Sequence, residues 1–367
     1  MRPVDIAHQR LHNQHIAEPT FEHPKDVVEW LGAVQAQDYA AALWAVGLRL
    51  QDVTSDDLEQ AFADGTILRT HVMRPTWHFV SPADIGWLLA LTAPRVNAAN
   101  TSRYRQLELN EIIFGRSQEA LVKALQGGKQ LTRPELVPVL KQAGIATDDA
   151  QRLTHLMMRA ELDGIVCSGG RQGKQFTYAL LEERTPQAKT LDREEALAKL
   201  VRRYFTSHGP ATVHDFVWWS GLTAADARVG LQMVSSHLQY EVVDGQTYWF
   251  SASPSPAKDL SQKASLLPNF DEYLVGYTDR SIVFDASHTH LLDAWGNILF
   301  HHTMVLDGRV VGTWKRTLNK DRVILTPSLF TSLGQAETDA FALSANHYGA
   351  FLDRSATLTF QVQEPGR

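Results

Sequence analysis

The chain has 367 residues, more than one simple core accommodates, so two or more domains are expected. With 44% hydrophobic and 21% charged residues it has the composition of a folded soluble protein, and a single cysteine, Cys167, excludes a disulfide framework and a cysteine-cluster zinc site and points to a reducing, cytoplasmic setting. A formal net charge of −6 argues against coating nucleic acid with the whole surface but leaves room for a local basic footprint.

The N-terminal MRPVDIAHQRLHNQHIAEP lacks the apolar core of a signal peptide, and no apolar stretch is long enough to span a bilayer, so no membrane partner is expected. Residues 1–80 read as a first module. HPKDVVEWLGAV is a proline-opened helix, AALWAVGLRL a second, and Thr54-Ser55-Asp56-Asp57 caps a third that ends at Gly65. ILRTHVM and TWHFV, around Arg74-Pro75, then form a hairpin. Ser81-Pro82-Ala83-Asp84 opens a helical connector, 81–116. Residues 117–185 repeat the plan: SQEALVKALQGG, a helix capped by Thr132-Arg133-Pro134-Glu135, ATDDAQRLTHLMMRAEL, and a hairpin with a basic tip, RQGK. Residues 190–250 give the clearest copy, with capping boxes at Thr212 and Thr223 and a two-residue Asp244-Gly245 turn between QYEVV and QTYWF.

Three helices and a hairpin make a winged helix, and recurrence at this spacing suggests tandem modules. A Ser/Pro-rich linker, SASPSPAKD (251–259), precedes a change of composition. Residues 260–367 read as a small, β-rich, barrel-like domain in which strands and turns dominate from Leu266 to about Pro327. A hairpin turns at Asp307-Gly308, and a helical stretch, GQAETDAFALSANHYGAFLD, and a last strand, TLTFQV, follow. The fold class is therefore α+β.

Winged helices most often bind nucleic acid, although many serve protein contacts. Basic residues cluster where phosphate contacts are expected: Arg152 and Arg159 on the second module's third helix, Arg171 and Lys174 on its wing, and Arg309, Lys315 and Arg316 on the C-terminal hairpin. Arg69, His71 and Arg74 lie along the first hairpin, either as a channel wall or as half-buried sheet residues. Three modules in one chain suggest a concave surface for duplex DNA on a monomer, rather than a dimeric repressor.

The stretch LGAVQAQDYAAALW (31–44) places two amides, Gln35 and Gln37, between apolar runs. Residues two apart share a side only on extended chain, so a pair acting together requires a break in the helix, which Gly32 makes plausible. Either the amides satisfy buried backbone groups, or they hold a water. Glutamine is no general acid or base near neutral pH, so the second reading suits a reaction whose leaving group is already activated: hydrolysis of the N-glycosidic bond to a cationic N-alkylated purine. Asp38 either assists or caps the next helix.

Taken with ILRTHVMRPTWHFV (67–80), LLPNFDEYLVGYTDR (266–280) and LDGRVVGTWKR (306–316), the Gln35-Ala36-Gln37 motif resembles the AlkZ/YcaQ-like DNA glycosylases, in their Gln-x-Gln, AlkZ-like branch. The resemblance covers nearly the whole chain. It implies three winged helices and a β-barrel forming a C-shaped DNA channel. It also implies monofunctional excision of N7-alkylated guanine, including bulky adducts and interstrand crosslinks, in DNA repair or self-resistance. Gln35 and Gln37 would be the catalytic pair, and no cofactor is required. FHHTMV, with its paired histidines, departs from the ordinary apolar–polar strand expected there.

Asp271 is a secondary acid candidate, since a carboxylate near a cationic base is electrostatically sensible. His288 and His290 on one strand and His301 and His302 on the next, with Asp285 or Asp293, are a conceivable metal set. No zincin or deaminase motif accompanies them, and exposed or DNA-facing histidines are the better reading, so no metal is expected. The rival from another class is a non-catalytic winged-helix DNA-binding regulator.

Overall fold

The structure is a computed structural model and describes residues 1–186, 188, 190–251, 263–292 and 296–360. Helices and antiparallel hairpins alternate along it, giving a mixed α and β fold. Residues 252–259 of the Ser/Pro linker, Asp293 and the end of the last expected strand lie outside the described residues.

The chain opens with a helix that the sequence pattern did not signal, Pro3–Asn13. The next, Pro24–Leu31, stops at Gly32, whose φ of +86° continues no helix, and the chain passes into a two-residue strand, Val34–Gln35. Helices Tyr39–Gly47 and Ser55–Asp64 follow, the latter held by the reciprocal Thr54–Asp57 capping box. Strands Leu68–Val72 and Arg74–Val80 form the expected hairpin, and Val34–Gln35 adds to its outer edge, giving a three-stranded sheet with Gln35 beside His78. Ile85–Gln106 is the connector helix.

The second run is Glu111–Leu125, Arg133–Gln142, Ala150–Leu162 and the hairpin Val166–Gln172 with Gln175–Leu180. The third is Arg193–Ser207, Val213–Ser220, Ala224–Val234 and the hairpin Leu238–Val243 with Gln246–Ser251. Asp244 and Gly245 both have positive φ there, as a twist-matched two-residue turn requires.

The C-terminal region differs from its sequence reading. Among the described residues of 268–301 there is no strand. A short helix, Glu272–Val275, and 3-10 turns occupy that stretch, including Ala286–Leu291, so His288 and His290 lie on a turn rather than a strand. The sheet is a curled half-barrel, not a closed barrel, with neighbours in the order 355–358, 322–329, 309–318, 302–306, 264–267. Helix Gln335–Phe351 packs against both edge strands and covers the gap.

Among the described residues, buried side chains form three clusters that cut across chain order. One joins the first helices to the C-terminal sheet around Trp44, whose Nε1 donates to Leu266 O at 2.7 Å. A second joins the first hairpin to the 193–238 helices, and a third fills 93–180. The Gln35 strand lies where the first two meet.

Candidate active site

Gly32 sits against the Arg203 side chain and the Trp219 ring, at 3.2 and 3.3 Å from where a Cβ would stand, so the break before the glutamines is packed from both sides. Beyond it the chain is extended, and Ala36 N donates to Trp77 O at 2.7 Å. Gln35 N faces away from the sheet and donates to Glu272 Oε1 at 3.0 Å. Glu272 is fully buried, and its Oε2 accepts from Trp219 Nε1 at 2.8 Å and from His208 Nε2 at 3.3 Å. Burial pushes this carboxyl up, but the bond to His208, the Gln35 N–H and the charge of Arg74 outweigh it and hold the acid below its ordinary value, ionised. Burial lowers His208, so the ring is neutral and its Nε2–H donates a hydrogen bond to the carboxylate.

Arg74 Nη2 donates to Gln35 Oε1 at 3.0 Å. A guanidinium has no acceptor, so the Gln35 amide is oriented: its oxygen faces Arg74 and its NH₂ is left without a protein partner among the described residues. Gln37 is exposed and makes no hydrogen bond among the described residues. One amide is thus held as a donor, and the other is free to accept. His78, beside Gln35, is fully buried and pushed down to about 3 by burial and then by Arg74, so it is a neutral wall rather than a base.

Asp38 accepts from Ala41 N at 3.1 Å and so caps Tyr39–Gly47, while its other oxygen lies 3.3 Å from Asn269 Nδ2. His302 Nδ1 accepts from Asn269 N at 2.9 Å and its ring stacks on Trp314, so the second of the paired histidines braces this corner. Among the described residues no three His, Cys, Asp or Glu side chains gather as a metal site.

Asp271 does not face the glutamines. It is fully buried, bridges Arg49 through two bonds of 2.9 Å, and caps its own short helix through Tyr273 N. The acid at the site is its neighbour, Glu272, and residue order alone did not distinguish the two.

Strand alternation and register put Gln35, Thr70 and His78 on one face of the sheet and Arg69, His71, Trp77 and Phe79 on the other. Arg69 and His71 therefore lie behind the pair. Arg69 is buried, donates through Nε to Ala36 O at 3.0 Å, and lies over the Trp77 and Phe176 rings. His71 bonds Glu161. A cavity of about 330 Å³ opens on this side, lined by Arg69, Trp77, Arg133, Lys174, Phe176 and Tyr178 among others.

Other basic candidates are engaged internally. Arg152 donates to the carbonyls of Ala146, Leu107 and Glu108 and ties off the connector helix. Arg159 bridges Glu111 and Asp163, Arg171 pairs with Glu59 at 2.6 Å, and Arg316 bonds the Tyr348 hydroxyl. Lys174, Arg309 and Lys315 are exposed. Glu272, His208 and Trp219 were not legible as a site, because each comes from a different element and none carries a motif of its own.

Residues 28–351 match the family model described as DNA glycosylase AlkZ-like. A curated relative from Streptomyces sahachiroi, an interstrand DNA cross-link repair glycosylase, is 26% identical over 341 residues, 87% of this chain and 88% of its own. The solved structure of Streptomyces sahachiroi DNA glycosylase AlkZ superposes with a TM-score of 0.80 at 23% identity, over 97% of this chain and 99% of that one. No helix among the described residues is long and apolar enough to cross a membrane. With the family model spanning most of its length, the chain belongs to the AlkZ-like DNA glycosylase family, enzymes that excise bases from DNA by hydrolysis.

Proposed function

We propose that the protein hydrolyses the N-glycosidic bond of cationic N7-alkylated purines in duplex DNA, with Gln35 and Gln37 as the catalytic pair. The observation that carries this reading is the orientation of Gln35 between Arg74 and Glu272. As the glycosidic bond breaks, its electrons neutralise the departing purine and C1′ develops oxocarbenium character. Water attacks C1′ and loses a proton to solvent, leaving a free base and an abasic sugar. The Gln35 NH₂ and the Gln37 carbonyl suit a water that must be held by one donor and one acceptor. The Glu272 carboxylate behind Gln35 favours the developing positive charge, and Asp38 adds a second negative charge without serving as a free base.

The helix-and-hairpin runs in 1–80, 117–185 and 190–250, with the connector 81–116 and the half-barrel of 260–367, support a reading as three winged-helix modules that hold duplex DNA in a C-shaped channel. Lys174, Arg309 and Lys315, exposed on hairpins, suit phosphate contacts. The protein acts as a monomer in the bacterial cytoplasm, without cofactor. The relative's name speaks of interstrand crosslinks, so crosslinked and bulky N7 adducts are substrates to test beside small ones. The test is single-turnover base release from duplexes bearing one N7-methylguanine, one bulky N7 adduct or one crosslink. Gln35→Ala and Gln37→Ala should each lower the rate by roughly 100-fold or more, with DNA binding kept and chelator without effect. No release by the unaltered enzyme on any of the three sinks the reading.

A further inference from the structure

The face that carries Gln35 ends in an exposed tryptophan that the chemistry above does not use. Trp218 lies on Val213–Ser220 and keeps 42% of its surface exposed, while its neighbour Trp219 is fully buried against Glu272. The exposed indole is fixed: its Nε1 donates to Val275 O at 3.1 Å. Two guanidinium groups lie over its ring, Arg74 at 5.8 Å and Arg280 at 5.6 Å from the centroid. Arg74 is the group that holds Gln35 Oε1, so one side chain links the indole to the catalytic amide.

Arg280 donates to Leu274 O at 2.9 Å and to Thr278 O at 3.3 Å, and its Nη2 is buried with no partner among the described residues. Neither arginine forms an ion pair among the described residues. An indole this large is normally covered, and here it is held rigid and open beside cations. That combination suits one class of ligand, a nucleotide whose base stacks on the ring and whose phosphate meets a guanidinium.

We propose that Trp218 is a stacking residue for a nucleobase flanking the lesion, with Arg280 taking that nucleotide's phosphate. The inference rests on the substrate proposed above. The stacked base is a flanking one, because the lesion's own sugar is held at the glutamines and a neutral base with its phosphate gains from the guanidinium groups beside the ring.

The experiment measures single-turnover base release against enzyme concentration for the unaltered enzyme, Trp218→Ala, Trp218→Phe and Trp218→Leu. Each is run on an intact lesion duplex and on duplexes with a stable abasic analogue 5′ to, 3′ to or opposite the lesion, and thermal melts check folding. Trp218→Ala should raise the half-saturating concentration about 5- to 150-fold and change the maximal rate little. Trp218→Phe should restore most of the loss and Trp218→Leu should not. On the duplex lacking the stacked base, the unaltered enzyme should fall to the level of Trp218→Ala, and the substitution should add nothing further. Saturation unchanged in Trp218→Ala, Phe no better than Leu, or losses that add on every abasic duplex would each overturn the proposal. If the unaltered enzyme releases no base from any lesion, the substrate reading falls and this inference with it. Normal release with normal saturation in Trp218→Ala removes Trp218 alone.

Discussion

The two faces of the small sheet that carries the glutamines are built on opposite rules. On the Gln35 side the buried acids are engaged. Glu272 accepts three N–H groups, Arg74 meets the Gln35 oxygen, and Arg49 and Asp271 close on each other one step behind. On the reverse side Arg69 is buried over Trp77 and Phe176 with no carboxylate bonded to it among the described residues, and His71 takes Glu161. Arg133 spends its donors on the Tyr178 and Thr154 hydroxyls, and Lys174 stands exposed. A face whose guanidinium and carboxylate grip one glutamine fixes its orientation and leaves its NH₂ to donate. A face with uncompensated cations around a cavity is left to receive an anion.

The largest expected effect separates the two amides on the first face. Gln35→Glu keeps an oxygen for Arg74 but deletes the NH₂ and adds charge beside Glu272. Base release should fall by roughly 100-fold or more. Gln37→Glu keeps an acceptor at an exposed position and should stay within about 10-fold of the unaltered enzyme. Equal losses in single-turnover rates would show that the amides are not divided into donor and acceptor.

Next comes the support behind that face. Asp271→Ala strands the buried Arg49 guanidinium and should destabilise the fold by about 3–5 kcal/mol in denaturant unfolding. Exposed Lys174→Gln should move it by no more than about 0.5 kcal/mol. If the two changes proved equal, the matched charges would not be what holds the site.

The fold carries its own pH signature. His78 is pushed down to about 3 and His302 to about 4, in both cases first by burial. The unfolded chain therefore binds more protons than the folded one between about pH 6.5 and those values. Stability should rise with pH across that window and decline as pH falls through it. Melting temperatures that stay flat from about pH 6.5 to 4 would contradict the neutral, buried state of these rings.

How much of this the sequence disclosed follows from where each signal is stored. Helix starts were legible because capping boxes such as Thr54–Asp57, Thr212–Asp215 and Thr223–Asp226 are local chemistry. The glutamine segment was legible as a break from helix, since Gly32 stands before an amide pair that needs extended chain. Which acid stands behind it was not. Asp271 and Glu272 are adjacent, and their division into an Arg49 partner and a Gln35 partner is decided by elements more than 200 residues away in the chain. The partners of the basic residues were hidden for the same reason: the carbonyls and carboxylates that engage Arg152, Arg159 and Arg171 come from other elements. The stretch His288-Thr289-His290, plausible as a strand or strand end, is 3-10 turn, whose three residues per turn no longer put the two rings on one side.

The smallest effect tests the reverse face. If the cavity beside Arg133 and Lys174 receives a DNA backbone phosphate, each cation that meets it releases a counterion on binding. Arg133→Gln and Lys174→Gln should each flatten the dependence of log affinity on log salt by about 0.9, measured on undamaged duplex DNA. The rate of base release at saturating enzyme should be unchanged, because neither side chain touches the glutamines. Arg69 is the residue that joins the two faces, through Ala36 O. Arg69→Lys keeps the charge but loses the planar Nε donor, and should alter the salt slope little while lowering the saturated rate. The opposite result, a changed slope with an intact rate, would place Arg69 with the phosphate-binding cations alone and remove any link between the cavity and the glutamine strand.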